Sequence, residues 1–358
     1  MKGQKSGFSD GFPDKFTVSV SCAAGVESVL KKELLRGFGI DAPALNGRIE
    51  FDGDPLTLAR CNINLRTADR VYIKTGCFDA LTFDQLFDAV KSVRWEDYVP
   101  RDGRVYVDGR CVKSILFAVS DCQRIVKKAI ADRLCGVYGL NRLPENGSTY
   151  KVDFYLYKDR VSFYIDTSGA GLHKRGYRDM VGIAPIKETL AAAMLLMSDF
   201  YKARPFADPF CGSGTFLTEG ARIALNIAAG IDRKFAFNEW KNFDKKFYEL
   251  AYAEAKDKER LNEQPDIRGF DADKKAVELT LRHAKRAGLE KVIRAEVLPV
   301  KKFRPWADCG TIVSNPPYGD RVYGAEDAVR CYRELGEALK GFNGWSAFII
   351  TPNRNFEK

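Results

Sequence analysis

The residues best suited to chemistry are Asn315-Pro316-Pro317-Tyr318, directly after the run Gly310-Thr311-Ile312-Val313-Ser314. Such a run predicts a buried strand, and the Asn315 side-chain oxygen and the Pro316 carbonyl then stand at its end without ladder partners. Two successive prolines hold the backbone extended and cannot donate. A planar base with an exocyclic amine can give both its N–H groups to those two oxygens while Tyr318 stacks on its face. That arrangement suits methyl transfer to an amino group. A plain strand closed by a proline turn is the alternative that the tetrapeptide alone leaves open.

A second cluster is Asp208-Pro209-Phe210-Cys211-Gly212-Ser213-Gly214-Thr215, between a predicted strand and a predicted helix. Gly212 and Gly214 permit a tight turn and let a ligand approach the backbone. The spacing is not that of a dinucleotide fingerprint, and no lysine follows as in a phosphate-binding loop. At such a strand end Asp208 is expected to hold the ammonium of an amino-acid ligand and backbone N–H groups its carboxylate. Asp271 ends the next strand, where a carboxylate can accept both ribose hydroxyls of a nucleoside. Glu296 ends the one after, within reach of an adenine amine. Each of these two acids also reads as a helix cap. With Asn315 on the fourth strand, the series points to S-adenosylmethionine beside an amine acceptor.

Those clusters need a scaffold, and the remaining residues describe one. From Ala184 onward strands alternate with helices, the signature of a parallel, doubly wound α/β sheet. Strands are expected at 205–210, 266–271, 292–297, 310–314 and 345–351, with helices at 188–200, 216–229, 274–287 and 328–339. Asp232 to Gln264 is expected to be an extended connection with surface helices. Residues 14–166 instead show short strands and helices of an α+β type, with no recognisable catalytic cluster, and read as a binding module. Its helix at 121–130 turns Arg124, Lys127 and Lys128 outward, either toward phosphates or simply toward water. Between the halves, Lys174, Arg175, Tyr177 and Arg178 sit in a glycine-rich stretch. They are expected to contact nucleic acid, cations meeting phosphates and the ring stacking on a base, or to serve a hinge.

Composition narrows the choice further. The net charge of +9 permits a polyanionic partner. Only two histidines occur, which argues against a His-ligated metal or a Ser-His-Asp triad. The nine cysteines are scattered without a C-x-x-C pair, so no metal site and reduced thiols in a cytoplasmic protein are expected. No apolar stretch is long enough to span a membrane. Residues 1–13 read as a disordered leader rather than a signal peptide.

The 208–215 loop and Asn315-Pro316-Pro317-Tyr318-Gly319-Asp320-Arg321 together resemble the THUMP-domain RNA guanine-N2 methyltransferases. Leu172-His173-Lys174-Arg175-Gly176-Tyr177-Arg178, Ala184-Pro185-Ile186-Lys187-Glu188-Thr189-Leu190-Ala191 and Cys22-Ala23-Ala24-Gly25-Val26-Glu27 are similar to the same family. The likeness is closest to bacterial enzymes acting on large-subunit rRNA. It implies a ferredoxin-like domain over 14–60, a THUMP RNA-binding domain over 61–167, a basic linker over 168–183 and a class I (Rossmann-like) methyltransferase domain over 184–358. It implies S-adenosylmethionine as cofactor and RNA, 23S rRNA above all, as partner. Asn315, Pro316 and Tyr318 would be the catalytic residues. Phe210, Cys211, Gly212, Gly214, Thr215, Glu188 and Thr189 would join Asp208, Asp271 and Glu296 around the cofactor. A DNA adenine-N6 enzyme, a tRNA guanine-N2 enzyme and an RNA-binding assembly factor with a vestigial pocket are the other readings. The family pattern adds a basic segment and a β-hairpin after the fifth strand; this sequence stops at Lys358, which leaves an open sheet edge in expectation.

Overall fold

The structure is a computed structural model and describes residues 12–178, 185–318, 325–353 and 356, with the side chains of 325–327 left aside. The leader through Gly11, Ala184 and Gly319-Asp320-Arg321 lie outside the described residues.

Chain order begins with β1 (Phe16–Cys22), α1 (Glu27–Phe38), β2 (Ala44–Leu45), β3 (Arg48–Gly53), α2 (Pro55–Asn64) and β4 (Ala68–Asp79). Asp54 caps α2 by accepting from the Thr57 N–H, with Pro55 in the first turn, where it forgoes no helical hydrogen bond. Then come α3 (Phe83–Ser92), β5 (Arg104–Val112), α4 (Val119–Tyr138), β6 (Thr149–Tyr157) and β7 (Arg160–Asp166). All seven strands join one sheet in the order β2-β3-β1-β4-β7-β6-β5. Strand β4 is the seam: it pairs antiparallel with β1 on one side and, from Tyr72 onward, with β7 on the other. The expected boundary after residue 60 therefore falls inside α2, and the two halves share one continuous sheet.

Side chains alternate across that sheet with the period of two that a pleated strand imposes. Val105, Val107, Tyr150, Val152, Phe154 and Leu156 are buried on the side of α3 and α4. Tyr106, Arg110, Tyr155 and Tyr157 point to the opposite face.

The second half contains α5 (Glu188–Met197), β8 (Phe206–Asp208), α6 (Thr215–Ala224), α7 (Lys245–Asp257), β9 (Ile267–Asp271), α8 (Lys274–Arg286), β10 (Ile293–Val297), β11 (Gly310–Ser314), α9 (Ala325–Leu339) and β12 (Trp345–Ile349). Its five strands are parallel in the order β10-β9-β8-β11-β12. The order reverses between β8 and β11, which opens a crevice at their carboxyl ends, where open α/β sheets bind ligands. Helix α6 stops five residues before the expected Ala229, because the chain turns at Asn226 with φ 53°.

The Asp232–Gln264 segment corrects its expectation. Rather than a surface connection, it is the joint between the halves. Trp240 is 2 % exposed and stacks on Tyr150 with ring centroids 4.8 Å apart, and its indole N–H donates to the Thr149 carbonyl. The Tyr150 hydroxyl donates to Asn242, and Phe235, Phe237 and Phe243 complete an aromatic core. Arg60 on α2 makes a two-pronged pair with Glu254 on α7, at 2.7 and 2.5 Å. Among the described residues no helix is long and apolar enough to cross a membrane, and no cluster of three His, Cys, Asp or Glu is placed to hold a metal.

Candidate active site

Four features meet at the carboxyl edge of the parallel sheet: Asp208 at the end of β8, the loop into α6, Asp271 at the end of β9, and Asn315 past β11. The loop is held from below and from the side. The Cys211 N–H donates to the Phe270 carbonyl, the Gly214 N–H to the Cys211 carbonyl, and the Gly212 N–H to Asp271 Oδ2 at 3.0 Å. Gly212 (φ 52°) and Gly214 (φ 77°) lie in the left-handed region, and a Cβ on Gly214 would sit 2.9 Å from Thr280. Thr280 and His283 of α8 brace the loop from outside, Thr280 donating to the Gly212 carbonyl and His283 Nδ1 meeting the Ser213 carbonyl at 2.9 Å. No side chain caps α6, so its first-turn N–H groups and its positive dipole end face the crevice. A ligand carboxylate suits that end, and Asp271, half-buried and also accepting from the Asp273 N–H, keeps lone pairs for hydroxyl donors. Burial raises the Asp271 carboxyl above its ordinary value.

Asp208 is held within the fold by one of its carboxylate oxygens. It is 1 % exposed, and its Oδ1 accepts from Ser314 Oγ at 2.5 Å and from the Phe210 N–H at 3.1 Å. It thereby ties the end of β8 to the end of β11, one residue before Asn315. Desolvation pushes its carboxyl up to about 7, against the hydrogen bonds that favour the charged form. Ser314, fully buried, was missed in the sequence; a hydroxyl just before the tetrapeptide in an apolar run was the available signal.

Asn315 is half-buried, Pro316 buried and Tyr318 39 % exposed. The Tyr318 hydroxyl donates to Asn315 Oδ1, the oxygen expected to receive an amine. That oxygen is thus already engaged by a donor, which any incoming amine would have to replace.

Other expected cofactor residues are placed differently. Cys211 is 4 % exposed and lies against β9, where a Cβ on Gly269 would meet its Sγ at 3.2 Å; its thiol is core, and burial holds its pKa well above the ordinary value. Phe210 is half-buried beside the loop. Glu296 shares its rung with Phe270, whose ring packs with Phe303 on the face away from Asp271, so the two acids do not share a side of the sheet. Glu296 is exposed there. Thr189 donates to Asp69 of β4 across the domain joint. Glu188, 3 % exposed, pairs with Arg178 at 3.2 Å, and the same guanidinium donates to Thr215 Oγ1 and to the Ile186 carbonyl at 3.2 Å. Burial raises the Glu188 carboxyl and Arg178 opposes it.

The linker residues divide likewise. Lys174 is exposed, as are Arg124, Lys127 and Lys128 on α4. Arg124 pairs with Asp121 and Lys127 with Glu145 at 3.2 Å. Arg175, Tyr177 and Arg178 are not surface contacts. Arg175 is 1 % exposed, donating to the Leu172 and Arg66 carbonyls and to Glu219, itself fully buried. The Tyr177 hydroxyl donates to the other Glu219 oxygen at 3.3 Å. Arg233 fastens the linker by donating to the carbonyls of Ser168, Ala170, Gly171 and Lys174. A stretch that reads as a nucleic-acid contact is mostly an internal joint.

Comparison with known proteins matches this layout. Family profiles for the RlmL ferredoxin-like domain, the THUMP domain and the RMKL-like methyltransferase domain match residues 17–72, 80–166 and 175–358 in series. A putative RNA methyltransferase of Bacillus subtilis, YpsC, is 40 % identical over 96 % of this chain and 90 % of its own length. The ribosomal RNA large subunit methyltransferase K/L of Methylococcus capsulatus is 34 % identical over 92 % of this chain, but the match spans only 46 % of that longer protein. Among solved structures, a predicted N6-adenine-specific DNA methylase of Listeria monocytogenes has a TM-score of 0.92 at 43 % identity, covering 96 % of this chain and 90 % of that one. The putative methyltransferase SMU.472, solved with S-adenosylhomocysteine, has a TM-score of 0.92 at 40 % identity, covering 97 % and 92 %.

Proposed function

The chain belongs to the RMKL-like methyltransferase family, and from that premise we propose that it methylates the exocyclic N2 amine of a guanosine in structured RNA, most specifically 23S rRNA. S-adenosylmethionine is the cofactor, and when bound it supplies an electrophilic methyl group. The observation that carries the reading is Asn315-Pro316-Pro317-Tyr318 at the end of β11, next to β8 and its glycine loop across the reversal of the sheet.

Within this reading the chain's own groups do positioning work. The N-terminal end of α6 receives the carboxylate of the cofactor's amino-acid part, close to the backbone at Gly212 and Gly214, and Asp271 receives its ribose. The target base is flipped from its stack into the crevice. Asn315 Oδ1, exchanging the Tyr318 hydroxyl for a substrate N–H, and the Pro316 carbonyl orient the amine, whose lone pair is otherwise delocalised into the ring. Tyr318 covers the base. The amine nitrogen would gain the methyl group as the sulfur–methyl bond breaks and leaves a neutral thioether, and would then lose a proton to water, so the rate comes from orientation and fixed dipoles rather than from a dedicated base.

The test is Asn315→Ala. Turnover on rRNA from cells lacking this activity falls by at least about a hundredfold, an effect comparable to losing one preorganised polar contact, while calorimetric affinity for S-adenosylmethionine is retained. Nucleoside analysis of the wild-type product gives N2-methylguanosine. Wild-type turnover in the variant, or N6-methyladenosine as the product, defeats the proposal.

A further inference from the structure

The seven-stranded sheet has one face under helices and one face that carries aromatic, basic and acidic side chains. We propose that the part of this open face formed by Tyr106, Tyr155 and Tyr157 is a stacking platform for a single-stranded run of the substrate RNA. This rests on the reading of RNA as the substrate and adds where and in what form it docks.

Three observations support it. The first is exposure: Tyr106 is 55 % exposed and Tyr155 and Tyr157 are half-buried, although the residues between them on the same strands are buried on the other face. Alternation fixes which rings point outward, so these three are not strays from the core. The second is geometry. The Tyr155 and Tyr157 rings, at successive outward positions of β6, stack on each other, parallel within 5° and with centroids 5.9 Å apart. The third is charge. The Arg110 guanidinium lies 5.8 Å from the Tyr155 centroid and Lys158 Nζ 5.4 Å from that of Tyr157. Among the described residues neither cation makes an ion pair, whereas the neighbouring Asp108 and Asp153 are both met by Lys151, at 3.3 and 3.0 Å. Unpaired positive charge is therefore left beside the rings.

Aromatic faces and unpaired cations answer different parts of one ligand. Bases stack on the rings without regard to sequence, and phosphates meet the cations. A duplex hides its base faces and offers only backbone, so the rings select single strands, as sheet-borne aromatics do in other RNA-binding folds. Cross-strand packing alone would account for tyrosines on an open face, but it gives no reason for the unpaired cations over them.

The experiment measures binding of the full chain to a fluorescein-labelled oligouridine and to a labelled RNA hairpin of uniform duplex. Tyr155→Leu/Tyr157→Leu keeps apolar area on the sheet and removes both aromatic faces; Tyr155→Phe/Tyr157→Phe keeps the faces. The Leu pair lowers single-strand affinity by at least about tenfold, while hairpin affinity and S-adenosylmethionine affinity stay within about twofold, and the Phe pair binds like wild type. Unchanged oligouridine affinity in the Leu pair, or an equal loss for hairpin and single strand, overturns the platform. A wild-type chain that binds neither RNA overturns the platform and the RNA reading together. A wild-type chain that binds oligouridine through these rings but transfers methyl only to DNA removes the substrate reading and leaves the platform standing.

Discussion

Replacing Asp208 with Asn should stabilise the ligand-free protein at alkaline pH and not at acid pH. The carboxyl is 1 % exposed, and burial raises its pKa from 3.8 to about 7 despite the hydrogen bonds from Ser314 and the Phe210 N–H. Between those two values the folded chain keeps a proton that the unfolded chain has released. Stability therefore falls as pH rises through that window and levels off above the folded value. Each unit corresponds to roughly 1.4 kcal/mol, so about 2 kcal/mol is lost between about pH 5.5 and about pH 8.5, the loss being complete near the folded value. Asparagine has nearly the same shape, cannot ionise and escapes this loss. The melting temperature of Asp208→Asn minus that of wild type should become more positive by roughly 4–8 °C from the lower to the higher pH, for a cooperative unit of 150–250 residues. Scanning calorimetry of the two ligand-free proteins in matched buffers measures it, and taking the difference cancels every other titrating group. An offset that does not change with pH would show that Asp208 ionises near its ordinary value, and would refute the reasoning that burial outweighs the hydrogen bonds from Ser314 and the Phe210 N–H.

Two further substitutions separate the cofactor loop from the domain joint. Gly214→Ala places a methyl group 2.9 Å from Thr280 in a left-handed backbone conformation, so S-adenosylmethionine affinity measured by calorimetry should fall at least about fivefold while RNA affinity holds, given a local strain of roughly 1–3 kcal/mol. Arg175→Ala leaves buried Glu219 with the Tyr177 hydroxyl and the neighbouring Arg66 but without its direct salt bridge; thermal stability should drop by up to about 3–5 kcal/mol, while RNA affinity of the folded fraction stays at the wild-type value. A selective loss of RNA binding at full stability would return Arg175 to the surface role that its sequence suggests.

The methyltransferase half was legible because its signals are local. Each of Asp208, Asp271 and Asn315 follows an apolar run, and in a parallel sheet every such run ends at the same edge. The errors arose where the deciding partner lies far along the chain. Lys174, Arg175, Tyr177 and Arg178 have the composition of an RNA contact, but Glu219, which sequesters Arg175 and Tyr177, is more than forty residues away. Trp240 reads as an aromatic in a polar connection until Tyr150, ninety residues earlier, supplies the other ring. Glu296 was a failure of phase: an acid one position from the strand end points to the other side of the sheet, and only the register with Phe270 reveals it. Asp208 was correctly placed, but its tie to Ser314 was hidden, since that hydroxyl is on a strand that is its neighbour in space and distant in sequence.

These long-range joints connect the proposed docking face to the distant crevice. Trp240 on Tyr150, Arg60 on Glu254 and Thr189 on Asp69 connect the methyltransferase half to three separate parts of the N-terminal half. A flexible tether would leave orientation to be fixed at each encounter, at a cost in rotational freedom. Contacts at three places instead hold the open sheet face and Asn315 in a set relation before RNA arrives. Arg178 carries the connection to the loop itself, because one guanidinium meets Glu188 at the start of α5 and Thr215 at the start of α6. The linker is therefore part of the site's support: a substitution there that spares every ligand contact can still misplace the first turn of α6, and with it the groups proposed to receive the cofactor.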